Sequence, residues 1–227
     1  MASLEGVKGS VLKELDGWSK DLRDALTEQA PDLSADAVLE RARAQLVTLL
    51  PGVPDPGALA PQMRAFTIGG AIYVAVYLAL RPKGWDAPRA WELLERATAL
   101  HFERMSGFEK RLASDGMFSW PMKALSRWLA SKSQREAVGG WVFEFHEADA
   151  ESDYGVTYTR CAIRELAVAN GAADFAPYIC LSDITGSRVF GWGLTRTETI
   201  AQGGHRCDFR FKRNGETRVR VKLPVLS

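Results

Sequence analysis

The chain has 227 residues, of which 46% are hydrophobic and 25% are charged, and its formal net charge is +1. This composition is ordinary for a soluble globular protein, and the length allows one large domain or two small ones. A net charge this small provides no field that would steer the chain toward nucleic acid or membranes, so we expect neither as a partner. We expect a small-molecule substrate instead, and the sequence leaves a homodimer open.

The cysteines indicate a reducing compartment. Cys161, Cys180 and Cys207 are odd in number and widely spaced, which argues against a disulfide framework. Residues 1–16 contain no apolar segment of the kind that a secretory signal needs. We therefore expect a cytoplasmic protein with three thiols. The most apolar run, residues 66–80, is short for a membrane span and is typical of a buried helix.

The first half of the chain has helical periodicity. Apolar residues recur at three- and four-residue spacing over residues 11–26, and Pro31 ends that segment. Gly69 and Gly70 would let another backbone lie close to the apolar helix that contains them. The later helices are predicted from the N-cap Ser34 to residue 49, and over residues 62–81, 86–112 and 120–135.

The period then changes to the alternation that is typical of strands. Alternating segments occupy residues 141–145, 154–160, 194–200 and 206–213, and the Asn214-Gly215 pair predicts a hairpin turn into a last strand at 217–223. Short helices are predicted at 161–171 and 173–183. The sequence thus predicts an α+β protein: a helical N-terminal half (1–136) packed on a C-terminal antiparallel sheet with inserted short helices (137–227), in a single domain.

A glycine pair, Gly203-Gly204, precedes a strand pattern that includes both a thiol and an imidazole. The two phenylalanines of this pattern mark one of its faces as buried. Cys207 is therefore either a small core residue or a nucleophile at the mouth of an apolar strand face, and both interpretations stay open. The residues that would share this face are His205, Cys207, Phe209 and Phe211.

Other reactive residues concentrate in the last third of the chain. Cys180 and Asp183 are three apart on a predicted helix and would lie on one face. Arg196 and Thr197 lie on the strand before the glycine pair. Each also has a structural interpretation, as a core thiol, a surface charge or a helix cap. Nucleotide-loop, nucleophile-elbow and zinc motifs are absent from the sequence, so we expect no organic cofactor and no metal.

Four segments of this region are specific in combination. They are Tyr158-Thr-Arg-Cys161, Cys180-Leu-Ser-Asp183, the Arg-Thr-x-Thr-x-Ala-x-Gly-Gly run within residues 194–204, and Cys207-Asp-Phe-Arg-Phe211. Together with the apolar Gly69-Gly70 helix, they resemble the L-2-amino-thiazoline-4-carboxylic acid hydrolase family. The resemblance covers roughly the C-terminal two-thirds of the chain.

The resemblance implies a hydrolase that opens a 2-aminothiazoline ring without an organic cofactor. The attack would come from a Cys207 thiolate activated by His205, or from water activated by Asp183 or His205. Cys180 is the fourth candidate catalytic residue, and we expect the site where its segment meets the Cys207 strand. The candidate substrate-binding residues are Arg196 and Arg160, either of which would hold a carboxylate, together with Tyr158, Thr197, Tyr178 and Cys161.

Two other classes of function stay open. One is a cofactor-free isomerase, cyclase or lyase of specialised metabolism, in which the many aromatic side chains would line a pocket for an aromatic substrate. The other is a non-catalytic ligand-binding module, because helices on an antiparallel sheet also form such domains. Thiol labelling separates them, since an accessible Cys207 of low pKa favours nucleophilic catalysis.

Overall fold

The structure, a computed structural model, describes residues 2–220, which form helices in both halves of the chain and one sheet near its C-terminal end. The α+β class predicted from the sequence is confirmed. The helices are α1 (Lys8–Gln29), α2 (Ala35–Leu49), α3 (Pro61–Leu80), α4 (Ala87–Arg104), α5 (Gly107–Phe118), α6 (Trp120–Ser133), α7 (Ala162–Ala169), α8 (Ala176–Ile179) and α9 (Ser182–Phe190). The strands are β1 (Val142–His146), β2 (Tyr154–Arg160), β3 (Leu194–Arg196), β4 (Cys207–Phe211) and β5 (Arg218–Val219).

The described residues divide into two compact units. Unit 1 comprises residues 2–103 and 162–179 and is helical, whereas unit 2 comprises residues 104–161 and 180–220 and contains the sheet. This division does not follow the predicted boundary at residue 136, because α5 and α6 belong to the unit with the sheet and α7 and α8 belong to the helical unit. The single domain predicted from the sequence stays a prediction.

Helix α3 is the buried centre of unit 1. Twelve of its 20 residues are buried, so the predicted core helix is confirmed. The segment Pro61–Lys83 is long and apolar enough to cross a membrane by length and composition alone. However, 67% of its most apolar stretch is buried inside the protein, as in the core helix of a globular domain.

One of the two glycines in α3 is required by packing. A Cβ atom on Gly70 would lie 2.6 Å from Cγ1 of Ile163 in α7, which is closer than two carbon atoms pack. A Cβ atom on Gly69 would have no neighbour within 4 Å. At Gly70 the close neighbour is therefore the Ile163 side chain of α7, which packs against α3, and not the backbone that the sequence predicted.

Unit 2 is built on a five-stranded sheet of order β1-β2-β4-β3-β5. All neighbouring strands are antiparallel except β3 and β5, which are parallel. Tyr158 lies opposite Phe143 on one side and opposite Cys207 on the other, so these three side chains share one face. The Tyr158 ring contacts the rings of Trp141, Phe143 and Phe209 on that face, with centroids 5.3–5.6 Å apart.

The predicted helix over residues 86–112 is wrong at its C-terminal end. Helix α4 ends at Arg104, and α5 begins at Gly107 after two intervening residues. The Ser106 side chain accepts the Glu109 N–H, and the Glu109 carboxylate accepts the Ser106 N–H. This capping box satisfies N–H groups at the start of α5 that would otherwise lack partners, and it starts a new helix there.

Three predictions for the C-terminal region need correction. The helix predicted over 173–183 is interrupted, because α8 ends at Ile179 and α9 begins at Ser182, so Cys180 and Asp183 do not share a helix. Strand β3 ends at Arg196 instead of residue 200. Asn214 adopts the positive φ of a turn, but β5 pairs with β3 in parallel, so no hairpin forms with β4. Residues 221–223 of the predicted last strand lie outside the described residues.

The two glycines of α3 provide a matched test of this packing. Gly70→Ala should lower the free energy of unfolding by about 1–3 kcal/mol, because the added methyl group overpacks against Ile163. Gly69→Ala should leave it unchanged or raise it by up to about 1 kcal/mol, because alanine favours the helix. Urea unfolding of both variants measures the difference. Equal stabilities would show that α3 and α7 do not pack as described.

Candidate functional site

Strand β3 places an arginine in the interior of unit 2. Arg196 is 1% exposed and is the largest fully buried side chain among the described residues. Its Nη1 donates to the Cys180 carbonyl at 3.0 Å and to Asp183 Oδ2 at 2.8 Å. Its Cζ lies 5.3 Å from the centre of the Phe209 ring. A buried charge is tolerated only with such partners, so these contacts fix the position of the guanidinium.

The other terminal nitrogen of Arg196 has no such partner. Nη2 is buried and donates no hydrogen bond to any of the described residues. Leaving a buried donor unsatisfied costs about 1–3 kcal/mol, and more for a charged group. Guanidinium groups bind carboxylates through their paired N–H groups. An acceptor atom of a ligand that reached Nη2 would therefore be stabilised.

Asp183 lies in the first turn of α9, beside this guanidinium. Its side chain keeps 40% of its surface accessible, whereas that of Arg196 keeps only 1%. Burial raises the pKa of the Asp183 carboxyl, although the charge and the hydrogen bond of Arg196 act in the opposite direction. Asp183 is thus an accessible carboxyl group whose pKa is shifted toward neutrality, which is the property of a general base.

A phenol and three thiols surround this pair. Burial raises the pKa of Tyr158, and the charges of Asp183, Cys161 and Cys207 influence the same group. Burial also raises the pKa of Cys180 well above its usual range. No disulfide joins any of the three cysteines. Tyr158 and Cys180 are therefore neutral hydrogen-bonding groups at neutral pH.

Cys207 is held differently from the thiol of an activated nucleophile. It is 5% exposed, and its Sγ accepts the Ile200 N–H at 3.2 Å. Burial raises its pKa to about 12, so its thiolate is scarce at neutral pH. In this position the sulfur secures the backbone that follows Arg196.

Asp208 secures the same backbone from the opposite face of β4. Its carboxylate accepts the Thr197 N–H at 2.9 Å, the Glu198 N–H at 2.8 Å and the Thr197 hydroxyl at 2.5 Å. Burial tends to raise the pKa of Asp208, but these hydrogen bonds outweigh it and hold the pKa below its usual range. Cys207 and Asp208 together fix residues 197–200, and with them the end of β3 that carries Arg196.

The structure brings six of the ten predicted site residues into one cluster, and we call this set the arginine cluster. Its members are Tyr158, Cys161, Cys180, Asp183, Arg196 and Cys207.

The other four predicted residues lie elsewhere. His205 is exposed, precedes β4 and makes no hydrogen bond within residues 2–220, so the predicted His205–Cys207 pair on one strand face is not formed. Thr197 is exposed and binds Asp208, and Arg160 is exposed at the end of β2. Tyr178 belongs to unit 1, where burial and then the charges of nearby acidic residues raise its pKa.

Sequence reasoning missed two residues of this region. Phe209 was assigned to the core, yet its ring supports the Arg196 guanidinium. Asp208 immediately follows Cys207 in the family-like segment, but its place on the polar face of the strand does not mark it as a site residue. The sequence does contain a signal for such a carboxylate. The backbone N–H groups of the threonine-rich run after Arg196 need acceptors, and a nearby aspartate can supply them. Within residues 2–220, no three His, Cys, Asp or Glu side chains are placed to hold a metal ion.

One family model matches the part of the chain that contains this cluster. The family model described as L-2-amino-thiazoline-4-carboxylic acid hydrolase matches residues 65–211, more than half of the chain, so the chain belongs to that family. The predicted resemblance is confirmed, and all members of the arginine cluster lie inside the matched range. No curated protein and no solved structure matches the chain.

Asp208→Ala tests how firmly the loop after Arg196 is held. Losing three hydrogen bonds to a carboxylate should lower the free energy of unfolding by about 2–4 kcal/mol. The same substitution at Asp32, which is exposed and makes no side-chain hydrogen bond within the described residues, should change it by less than about 0.5 kcal/mol. Denaturant titration of both variants measures the contrast.

The stability that the Asp208 carboxylate contributes should depend on pH. Because the pKa of Asp208 is lowered in the folded protein, its stabilisation is present above the unfolded pKa of about 4 and is lost as the pH falls through the folded pKa. The stability gap between the wild type and Asp208→Ala should therefore narrow in acid. A gap that stays constant down to acid unfolding would contradict the role of the ionised carboxylate.

Proposed function

We propose that the chain hydrolyses a small carboxylate-bearing heterocycle of the 2-aminothiazoline class at the arginine cluster. The single observation that carries this proposal is the buried Arg196 Nη2, which has no acceptor among the described residues, next to an accessible carboxyl group. Membership of the hydrolase family supports the reaction class.

Arg196 would bind the substrate carboxylate. Nη1 is already engaged by Asp183 and the Cys180 carbonyl, so the substrate oxygen would accept from Nη2. A charge-assisted hydrogen bond to a guanidinium that cannot move is both strong and directional. It would hold the ring in one orientation, and most of the catalytic benefit of such a contact comes from this positioning.

Asp183 would act as the general base toward water. Water would add to the ring carbon between the sulfur and the two nitrogens, and Asp183 would take one of its protons and pass it to the ring nitrogen. The carbon–sulfur bond would then break as the new carbonyl forms, and the second water proton would end on the sulfur. The products balance as a ureido group and a thiol on one molecule. The raised pKa of Asp183 suits this exchange, because a base with a pKa nearer neutrality both accepts and returns a proton readily.

Tyr158 would serve as a neutral donor in the same reaction. Its raised pKa keeps the phenol protonated, so its hydroxyl would stabilise charge that develops on the departing sulfur. The rings of Phe143 and Phe209 that flank it would form an apolar wall against the substrate ring.

The environment of the thiols favours activated water over a thiolate nucleophile. Cys207 has a pKa of about 12 and its Sγ is engaged by the Ile200 N–H. The pKa of Cys180 is also raised, by burial and by the nearby charge of Asp183. His205, the predicted activating base, lies outside β4 and is exposed. Cys207 would therefore position the loop and take no part in bond making.

Conservative substitutions distinguish attack by water that Asp183 activates from attack by a Cys207 thiolate. With L-2-amino-thiazoline-4-carboxylate as substrate, thiol release and mass spectrometry of the ureido product should show that Asp183→Asn lowers kcat by about 10²–10⁴-fold. Tyr158→Phe, which removes only the hydroxyl, should lower kcat with little change in KM. Cys207→Ser should keep kcat within about tenfold of the wild type, because serine retains an acceptor for the Ile200 N–H.

Thermal unfolding of each variant shows whether it is folded. An inactive but folded Cys207→Ser together with an active Asp183→Asn would reverse the assignment. A wild type that binds the heterocycle without releasing thiol would favour the isomerase, lyase or binding-module alternatives.

The pH profile tests the base independently. A general base must be ionised, so kcat/KM should rise with pH through the pKa of Asp183. Because that pKa is raised, the acid limb should lie above the ordinary aspartate value of 3.8. Stopped assays across acid pH, with stability checked at each point, locate the limb. A rate that is flat from pH 4 to neutrality would exclude Asp183 as the base.

A further inference from the structure

Helices α5 and α6 expose large apolar side chains. Every large hydrophobic side chain that is exposed in the described part of unit 2 lies on these two helices. They are Phe108 (75% exposed), Leu112 (62%), Trp120 (78%) and Trp128 (47%). Isolated exposed apolar residues are normal, but four on consecutive helices, two of them tryptophans, mark an interaction surface.

The spacing of these residues gives each helix one exposed apolar stripe. Phe108 and Leu112 are four residues apart on α5, and Trp120 and Trp128 are eight apart on α6. In an α-helix, residues separated by four or eight lie toward the same side. Arg127, which is also exposed, lies within the α6 stripe. We call these two stripes and the cations beside them the α5–α6 surface.

The charge of this region differs from that of the whole chain. Residues 107–135 contain six basic and two acidic residues, a local charge of +4, whereas the formal net charge of the chain is +1. Both acidic residues are engaged within unit 2, since Glu109 caps α5 and Asp115 pairs with Arg213. The basic residues are Lys110, Arg111, Lys123, Arg127, Lys132 and Arg135. Arg127 pairs with Glu147 and Arg111 lies 3.8 Å from Asp115, so the excess charge rests on the other four.

Each helix carries cations beside its exposed rings. Nζ of Lys132 lies 5.7 Å from the centre of the Trp128 ring. The Arg111 side chain is 83% exposed, three residues from Phe108. Tryptophan and phenylalanine insert at the level of lipid headgroups, while lysine and arginine bind the headgroup phosphates.

We propose that the α5–α6 surface docks on an anionic lipid membrane. The apolar stripes would enter the headgroup region and the flanking cations would bind its phosphates. A second copy of the chain fits this surface less well, because an interface between two identical copies would bring the same excess of positive charge together. The small net charge of the whole chain led us to expect no membrane partner, but that total averages out the local excess of positive charge on these helices.

Vesicle flotation tests the proposal with the intact protein. The wild type should float with vesicles that contain phosphatidylglycerol and stay behind with pure phosphatidylcholine. Raising the salt from about 0.1 M to about 1 M shortens the Debye length from about 10 Å to about 3 Å and should release the protein. Tryptophan fluorescence should shift to the blue on binding, because the indoles of Trp120 and Trp128 leave water.

Matched variants assign the binding to this surface. Phe108→Ser with Trp120→Ser should abolish flotation. Lys110→Gln, Arg111→Gln and Lys132→Gln together should weaken partitioning on the order of a hundredfold, at about fivefold for each charge removed. Leu59→Ser, a control at a 70% exposed leucine of unit 1, should float like the wild type. Circular dichroism confirms that the variants fold.

Three outcomes would overturn the proposal. One is a wild type that does not float with anionic vesicles, and another is flotation that survives the Phe108 and Trp120 substitutions. The third is a wild-type dimer, seen by sedimentation, that the same substitutions dissociate, because the surface would then bind a second copy. Hydrolysis of a soluble substrate should be unchanged in these variants, so failure here is distinguishable from failure of the proposed hydrolase.

Discussion

A guanidinium that is buried and cannot lose its charge determines how the rest of unit 2 is arranged. Arg196 is 1% exposed, so its N–H groups must find acceptors inside the protein or in a ligand. The protein supplies the Asp183 carboxylate, the Cys180 carbonyl and the face of Phe209, but leaves Nη2 without an acceptor among the described residues. An incomplete set of partners is costly for stability, and in the proposed function the substrate would complete it.

The segments that carry the family resemblance surround this arginine. The Cys180–Asp183 segment supplies its acceptors, and the Cys207–Phe211 segment supplies Phe209 together with the two residues that hold the following loop. The Arg-Thr-x-Thr run is bound by Asp208 directly after Arg196. The residues of the motif therefore hold the Arg196 side chain in one fixed position. A site is precise when its reacting groups are fixed by a supporting set of hydrogen bonds of this kind.

Local sequence patterns predicted most helices and strands correctly. They did not predict which strands pair, because pairing depends on residues that are distant in the sequence. Alternation located β1, β2 and β4, and the N-cap at Ser34 was correct because its hydrogen bond to the Ala37 N–H is local. The capping box at Ser106 is equally local, but the amphipathic run around it hides the break between α4 and α5. By contrast, β5 pairs with β3 in parallel, and no nearby residue encodes that choice. The alternation also extended to His205, but the turn after the positive-φ Gly203 delays the strand until Cys207 and leaves the imidazole exposed.

The central claim is that Arg196 takes a substrate carboxylate, and one comparison of affinities tests it most directly. Calorimetry would measure the binding of 2-aminothiazole-4-carboxylate, whose aromatic ring resists hydrolysis, and of the corresponding neutral carboxamide. The carboxylate should bind at least about tenfold more tightly, which corresponds to about 1.4 kcal/mol from the charge-assisted hydrogen bond. Equal affinities for the two ligands, or tighter binding of the carboxamide, would contradict the account.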